Sequence, residues 1–304
     1  MQSYPIYFTP LYKDYVWGGR KLVDLCGRSI PYTKAAESWE IADRKEGMSI
    51  VENGVYQGLS LHDLVRLYGK ELMGEREEKF PLLIKLIDAK QSLSVQVHPG
   101  DAQKSPLIEP KTELWYVLEA AASGGVFAGF SQQMTPTTFV KAVEEKELLS
   151  YLQRKEVKKG DAVFIPGGMI HAILQGTFLL EIQENSDTTY RIYDWQRGRK
   201  LHIPEALSVL DWEINPPILC AQKKGKNCTK VHQSPHFSIE KWTTSQLWKG
   251  PFSRFSIIFL LEGKGSIQVD DVVEDLTPFR ACLIPASASF FSIELQKGSY
   301  LRIW

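Results

Sequence analysis

Gln96 and His98 stand two residues apart in LSVQVHPGD (93–101), where Leu93, Val95 and Val97 alternate with Ser94, Gln96 and His98. Residues two apart on a strand share a face. An amide and an imidazole therefore point the same way just before the chain turns at Pro99-Gly100. A second histidine sits in an equally specific setting. GDAVFIPGGMIHAI (160–173) spaces Gly160, Pro166, Gly168 and His171 so that a strand, a Pro-Gly turn and a second strand are expected in succession. Imidazole and amide donors are chemistry for a divalent ion, with His98 and His171 as its nitrogen ligands. The remaining histidines, His62, His202, His232 and His236, read as surface or packing residues.

The spacing Gly-x5-Pro-x-Gly-x2-His resembles the second motif of the cupins. There the turn re-aims the chain and the next strand points its histidine into a barrel mouth. The first cupin motif supplies His-x-His and a later glutamate. Here the pair is Gln96-Val-His98, and the acid that follows on a strand, in KTELWYV, is Glu113. The resemblance implies that Gln96, His98, Glu113 and His171 line the inner face of one barrel. Two imidazoles, a carboxylate and an amide oxygen without a thiolate suit Zn²⁺ or a similar ion that keeps a position open.

Such an ion needs a task. Glu181 and Arg191 in FLLEIQENSDTTYRIYDW, with Lys111 and Glu109 upstream, add ionisable groups near the same pocket. A metal that polarises adjacent oxygens, beside a base and a cation, is equipment for proton transfer next to a carbonyl.

The elements that must hold these groups are mostly strands. Runs such as LSVQVHP, ELWYVLEA, DAVFIPGG and ACLIPASASFFSIEL are rich in β-branched and aromatic residues and end at turn formers. LEGKGSIQV reads as a hairpin turning at Gly263-Lys264-Gly265. Helices are expected at about 60–74, 136–153 and 204–213, opened by Ser60, Pro136 and Pro204. Between 214 and 236 lie a Pro-Pro pair and a small basic cluster, the best candidate junction. The expected layout is mainly β: two cupin/jelly-roll β-barrel domains with a few helices. Residues 1–216 would form the catalytic domain, and 217–304 a C-terminal jelly roll without a metal site, since Phe290 stands where the second motif would need histidine. Trp17, Trp39 and Trp115 are expected in cores or pocket walls.

The chain has 304 residues, enough for two domains with real cores. Lys+Arg and Asp+Glu both number 36, and a formal net charge of zero argues against broad electrostatic binding to nucleic acid or an anionic membrane. No run reaches the roughly 20 apolar residues of a spanning helix, and the N-terminus does not read as a signal peptide. Cys26, Cys220, Cys228 and Cys282 are scattered and read as reduced thiols of a cytoplasmic protein.

Taken together, VWGG (16–19), ESWEI (37–41), FPLLIKLIDAKQSLSVQVHP (80–99), KTELWYVL (111–118), PGGMIHAI (166–173) and NSDTTYRIYDW (185–195) resemble the type I phosphomannose isomerases in their short bacterial form. The resemblance implies a zinc enzyme, one ion per chain, that interconverts mannose 6-phosphate and fructose 6-phosphate through an enediol(ate), as a monomer or homodimer. It places the metal ligands on Gln96, His98, Glu113 and His171, and the active-site arginine on Arg191. Lys111 matches the lysine before the ligand glutamate, and Ser94 a serine at the sugar-phosphate site. The chain departs from longer members in reading KTEL rather than KPEM. It also lacks room for their helical insertion. A lysine that follows the arginine in longer members has no clear match, with Arg197 or Lys200 as substitutes. Glu181, Lys111 and a water on His98 or on the metal all stay open as the base. Other classes are an iron-dependent cupin dioxygenase and a non-catalytic sugar-binding bicupin.

Overall fold

Runs of Val, Ile, Leu and aromatic residues between glycine and proline turns fold as strands, and the strands gather into antiparallel sheets. The structure is a computed structural model that describes all residues except 76, 214–217, 220 and 221, with 218, 219, 222 and 223 described as backbone alone. The architecture is mainly β with several sheets, the cupin type. The chain divides into two compact units, each drawn from separated stretches: residues 12–37 with 85–219, and residues 1–11 with 38–84 and 220–304. The boundary expected at 216/217 lies outside the described residues.

In the first unit a five-stranded sheet runs Leu152–Glu156, Gly125–Phe130, His171–Ile173, Val95–Val97, Tyr190–Tyr193. A second sheet places Ala162–Ile165, Glu113–Ala120 and Thr177–Glu184 side by side. The two sheets share a core: Trp115, Val117, Val163 and Leu179 from one meet Val126, Ala128 and Ile173 from the other. On the far side of the five-stranded sheet, Val95, Val97 and Ile192 pack with Phe139, Ala206 and Val209 of two helices. Val95 and Val97 thus face away from the inter-sheet space, and Gln96 and His98 are turned into it. Leu93 departs from the expected alternation. The strand begins only at Val95, and Leu93 packs against the inner core instead.

The helices are shorter than the periodicity predicts. Thr135 caps Pro136–Glu144, but Lys146 adopts φ 62° and ends it. The stretch expected to continue helical to 153 becomes a 3-10 turn, Leu148–Tyr151, and the edge strand Leu152–Glu156. The charged run Glu144-Glu145-Lys146-Glu147 has no apolar stripe to bury there. The third helix spans Ile203–Val209.

In the second unit, Ile6–Tyr7, Ala281–Ile284, Ser256–Val269, Phe290–Ile303, Ser238–Trp242 and Cys228–Gln233 lie in that order in one sheet. Helix Leu61–Met73 opens with a reciprocal Ser60–Asp63 capping box and closes at Gly74, φ 90°. The hairpin expected at Gly263-Lys264-Gly265 is not a turn. Ser256–Val269 runs straight through it, with Gly263 (φ 103°) opposite Gly298 (φ 124°). Two facing glycines let paired strands bend together without a Cβ in the way. The real turn is at Asp270-Asp271, where Val269 pairs Val272 and Asp270 takes φ 47°.

Cys228 and Cys282 are free thiols, and Cys220 lies outside the described residues. Among the described residues no helix is long and apolar enough to cross a membrane.

Candidate active site

Three neighbouring strands position Gln96, His171 and Arg191. Gln96 is paired directly with His171 on one side and with Arg191 on the other. Directly opposed residues share a face, so the side chains of all three enter the inter-sheet space together. The turns on either side are locked by glycine. Gly168 N donates to the His98 carbonyl at 2.8 Å. A Cβ on Gly167 would lie 2.3 Å from Gly100 Cα, so two backbones meet there with no side chain between them. This contact holds the end of one ligand strand against the start of the other. Gly168 itself sits at φ 89°.

His98 and His171 are buried and oriented. Their Nδ1 atoms donate to the carbonyls of Thr188 (2.9 Å) and Met169 (2.8 Å). A carbonyl only accepts, so each proton is on Nδ1 and each Nε2 presents a lone pair. The two Nε2 atoms are 3.2 Å apart. Glu113, from the other sheet, brings Oε2 to 3.5 Å from His98 Nε2 and Oε1 to 3.5 Å from His171 Nε2. Glu113 Oε1 is buried with no hydrogen-bond partner among the described residues. Gln96 Nε2 lies 3.5 and 3.3 Å from the two imidazole Nε2 atoms, and its Oε1 accepts from Ser94 Oγ at 3.1 Å. A half-turn of the amide would present oxygen to the same point.

Lone pairs converging in a dry space are costly unless a cation shares them, at about 1–3 kcal/mol for each unsatisfied group. His98, Glu113 and His171 therefore fit a divalent ion. Burial holds both histidines neutral. It pushes His98 down to about 3, with the Lys111 charge adding to it, and lowers His171 as well. Burial would raise Glu113, but the Lys111 charge outweighs it and holds the carboxyl well below its usual range.

Beside this group lies a cleft of about 320 Å³ lined by Ser94, Gln96, Lys111, Glu181 and Arg191, with Trp17 and Trp115 in its wall. Lys111 Nζ lies 3.0 Å from Glu113 Oε2 and 3.1 Å from His98 Nε2, at the ligand end. Glu181 Oε2 accepts from Trp115 Nε1 at 2.9 Å. Its pKa is raised, first by burial and then by the nearby Glu113 charge. Glu109 is not part of the lining; its carbonyl accepts from Ser186 Oγ. Arg197 and Lys200 do not line it either. Trp39 packs with Ala42 and Leu83 in the other unit.

Residues 6–122 match the catalytic domain of type I phosphomannose isomerase. A mannose-6-phosphate isomerase of Bacillus subtilis is 33% identical, the alignment covering 97% of either chain. The crystal structure of the mannose 6-phosphate isomerase from Bacillus subtilis superposes over 100% of both chains, with TM-score 0.91 and 30% identity. A mannose 6-phosphate isomerase bound with zinc and yttrium shares the fold at TM-score 0.78 and 18% identity, over 99% of both chains. The chain belongs to the type I phosphomannose isomerase family. Membership does not favour the dioxygenase or non-catalytic alternatives.

In this phosphomannose isomerase the cleft also holds groups that the motifs did not single out: Tyr15, Glu37, Lys85, Asp187, Thr189 and Arg199. Lys85 Nζ lies 3.7 Å from Glu37 Oε2 and 3.5 Å from Glu181 Oε1. Burial would lower its pKa, but Glu37 and Glu181 outweigh burial and raise it. A signal for it existed. LLIKLIDA is buried at every position, and a lysine inside such a strand is retained only with partners.

Proposed function

We propose that the chain interconverts mannose 6-phosphate and fructose 6-phosphate, with one zinc ion per chain held by Gln96, His98, Glu113 and His171. The Bacillus subtilis relative is named for this activity. The observation that carries the reading is the pair of imidazole Nε2 lone pairs 3.2 Å apart beside an orphaned carboxylate oxygen, at the edge of a cleft lined with cations.

The isomerisation moves one proton from C2 to C1 and one between the O1 and O2 oxygens, so it needs no external oxidant or reductant. A bound divalent ion would polarise those oxygens as negative charge develops. Glu181 carries the carbon-bound proton. Burial and the Glu113 charge raise its pKa above the usual carboxylate range, which makes it a stronger base. Trp115 Nε1 and Lys85 fix its two oxygens in direction. Lys111 and Arg191 hold the sugar phosphate and stabilise charge on it, and Ser94 orients the Gln96 amide. The core around Trp115, Ile173 and Leu179 keeps water from the wall of the cleft. The enzyme's free thiols Cys228 and Cys282 suit a reducing, cytoplasmic setting.

The test is a coupled assay for formation of fructose 6-phosphate from mannose 6-phosphate by zinc-loaded protein, with metal content measured on the same sample. Zinc-loaded protein with no isomerisation would sink the reading.

A further inference from the structure

A phosphate dianion needs a stretch of cleft wall with more positive than negative charge. Lys85 is set between Glu37 and Glu181, and the Asp187 charge acts on it as well. Lys111 is committed to Glu113 at the ligand end. Two lining cations are left, Arg191 and Arg199. Arg199 grips Asp194 with both arms of its fork, Nε to Oδ2 at 2.8 Å and Nη2 to Oδ1 at 2.5 Å. Arg191 has no carboxylate within 4 Å among the described residues. Its Nη1 donates to the Lys200 carbonyl at 2.9 Å, and its Nε is buried without a hydrogen-bond partner among them.

Of the two guanidiniums only Arg199 is paired with a carboxylate, Asp194, which Arg197 Nη1 also approaches at 3.7 Å. The repulsion between Arg191 and Arg199 shows in Arg191, whose pKa is lowered first by burial and then by Arg199. The pair keeps a surplus positive charge on the cleft wall, in the planar, multi-donor form that suits phosphate oxygens. Exposure orders the two ends. His98, Glu113 and His171 are 1%, 0% and 1% exposed, while the Arg199 side chain is 37% exposed. A strongly hydrated dianion is cheaper to hold at the open side, leaving the reacting carbons to the dry side.

The geometry points to Arg199, beside Arg191 and steered by Asp194, as a phosphate-binding and specificity-determining residue of the sugar-phosphate site. This rests on the isomerase reading above. It also relocates the contact expected of Arg197 or Lys200. Arg197 is tied down by hydrogen bonds to Gln91 Oε1 (3.2 Å) and the Ser92 carbonyl (2.8 Å), and Lys200 lends its carbonyl to Arg191.

The test compares wild type, Arg199→Met and Arg199→Lys by steady-state kinetics, with inorganic phosphate as competitive inhibitor. In Arg199→Met, KM for fructose 6-phosphate and Ki for phosphate rise together about tenfold, as expected for one lost charge-assisted contact. kcat falls less than threefold, a split that a general loss of structure would not give. Arg199→Lys keeps the charge but not the fork and gives an intermediate rise. It carries the test if Arg199→Met fails to fold. Unchanged KM and phosphate Ki in a folded variant, with an active wild type, overturn the assignment to Arg199 alone. A zinc-loaded wild type without isomerase activity removes the reading beneath it.

Discussion

His98 and His171 face each other through their Nε2 atoms at 3.2 Å while each Nδ1 is bonded to a main-chain carbonyl. Neither ring can donate to the other in this tautomer, so both lone pairs are offered to a shared cation.

Metal content should follow this pair. His171→Ala removes one donor and leaves Glu113 Oε1 still without a partner. Elemental analysis of the purified variant should show little bound metal, and activity should not return at zinc concentrations that saturate wild type. Chelation of the wild type should abolish turnover, and zinc should restore it. Full zinc occupancy in His171→Ala would contradict the ligand assignment.

Arg191 and Glu181 should behave differently from the ligands. Neither belongs to the His98–Glu113–His171 group, so Arg191→Ala and Glu181→Gln should keep metal content while kcat drops by about 10²-fold or more. The two variants separate on pH. Where Arg191→Ala retains measurable turnover, its kcat should still fall in acid as a carboxyl with a raised pKa protonates, and Glu181→Gln should lose that limb. Loss of zinc in Arg191→Ala would show that its role is to hold the metal site together.

Acid should weaken the metal-free protein through its buried histidines. In the unfolded chain a histidine titrates near 6.5, whereas folded His98 is depressed to about 3 and His171 is also lowered. Between those values the unfolded state binds more protons, so their contribution to stability is complete above about 6.5 and drains away as pH falls towards 3. Glu181, with its raised pKa, works in the opposite sense and is stabilising on the acid side. Urea midpoints of the chelated protein at a series of pH values check this. His98→Gln, which removes the most depressed group, should flatten the decline.

Gly167→Ala tests the contact between the two ligand turns. The added methyl would lie 2.3 Å from Gly100 Cα and 2.6 Å from the Pro99 carbonyl oxygen. Forcing the turns apart should cost ~1–3 kcal/mol of stability, read as a lower urea midpoint, and should weaken zinc binding because His98 and His171 hang on these turns. Gly198→Ala has open space around its Cβ, but at φ 77° it still strains the backbone. It serves as a control for backbone strain without collision. If the two variants hold zinc equally well, the turn contact does not set the ligand geometry.

Part of this protein could be read directly from the chain. Strand periodicity alone puts Gln96 and His98 on one face, and the Gly160-Pro166-Gly168-His171 spacing marks a turn that must re-aim a histidine. Both are local properties, and the structure places these residues around one point. Local pattern reached less far where conformation departs from a fixed period. The bend at Gly263 looked like a turn because the sequence does not show that Gly298 lies opposite it. The helix after Pro136 stopped early at a left-handed Lys146.

The cleft shows the same division. Gln96, Glu113 and His171 sit on strands and His98 just past the end of one, so parity with the cupin resemblance was enough to bring them forward as candidates. Arg199, which lines the cleft, follows a loop in which Trp195, Gln196 and Gly198 all have positive φ, at 53°, 61° and 77°. Such a path has no period to count along, so spacing from Arg191 offered Arg197 or Lys200 and passed over Arg199. Only the folded loop tied Arg197 to Gln91 and Ser92 and left Arg199 on the cleft wall beside Asp194. Residue type and strand parity determined what could bind a metal. The tertiary path, through backbone conformations that hold no repeat, decided which charges line the cleft.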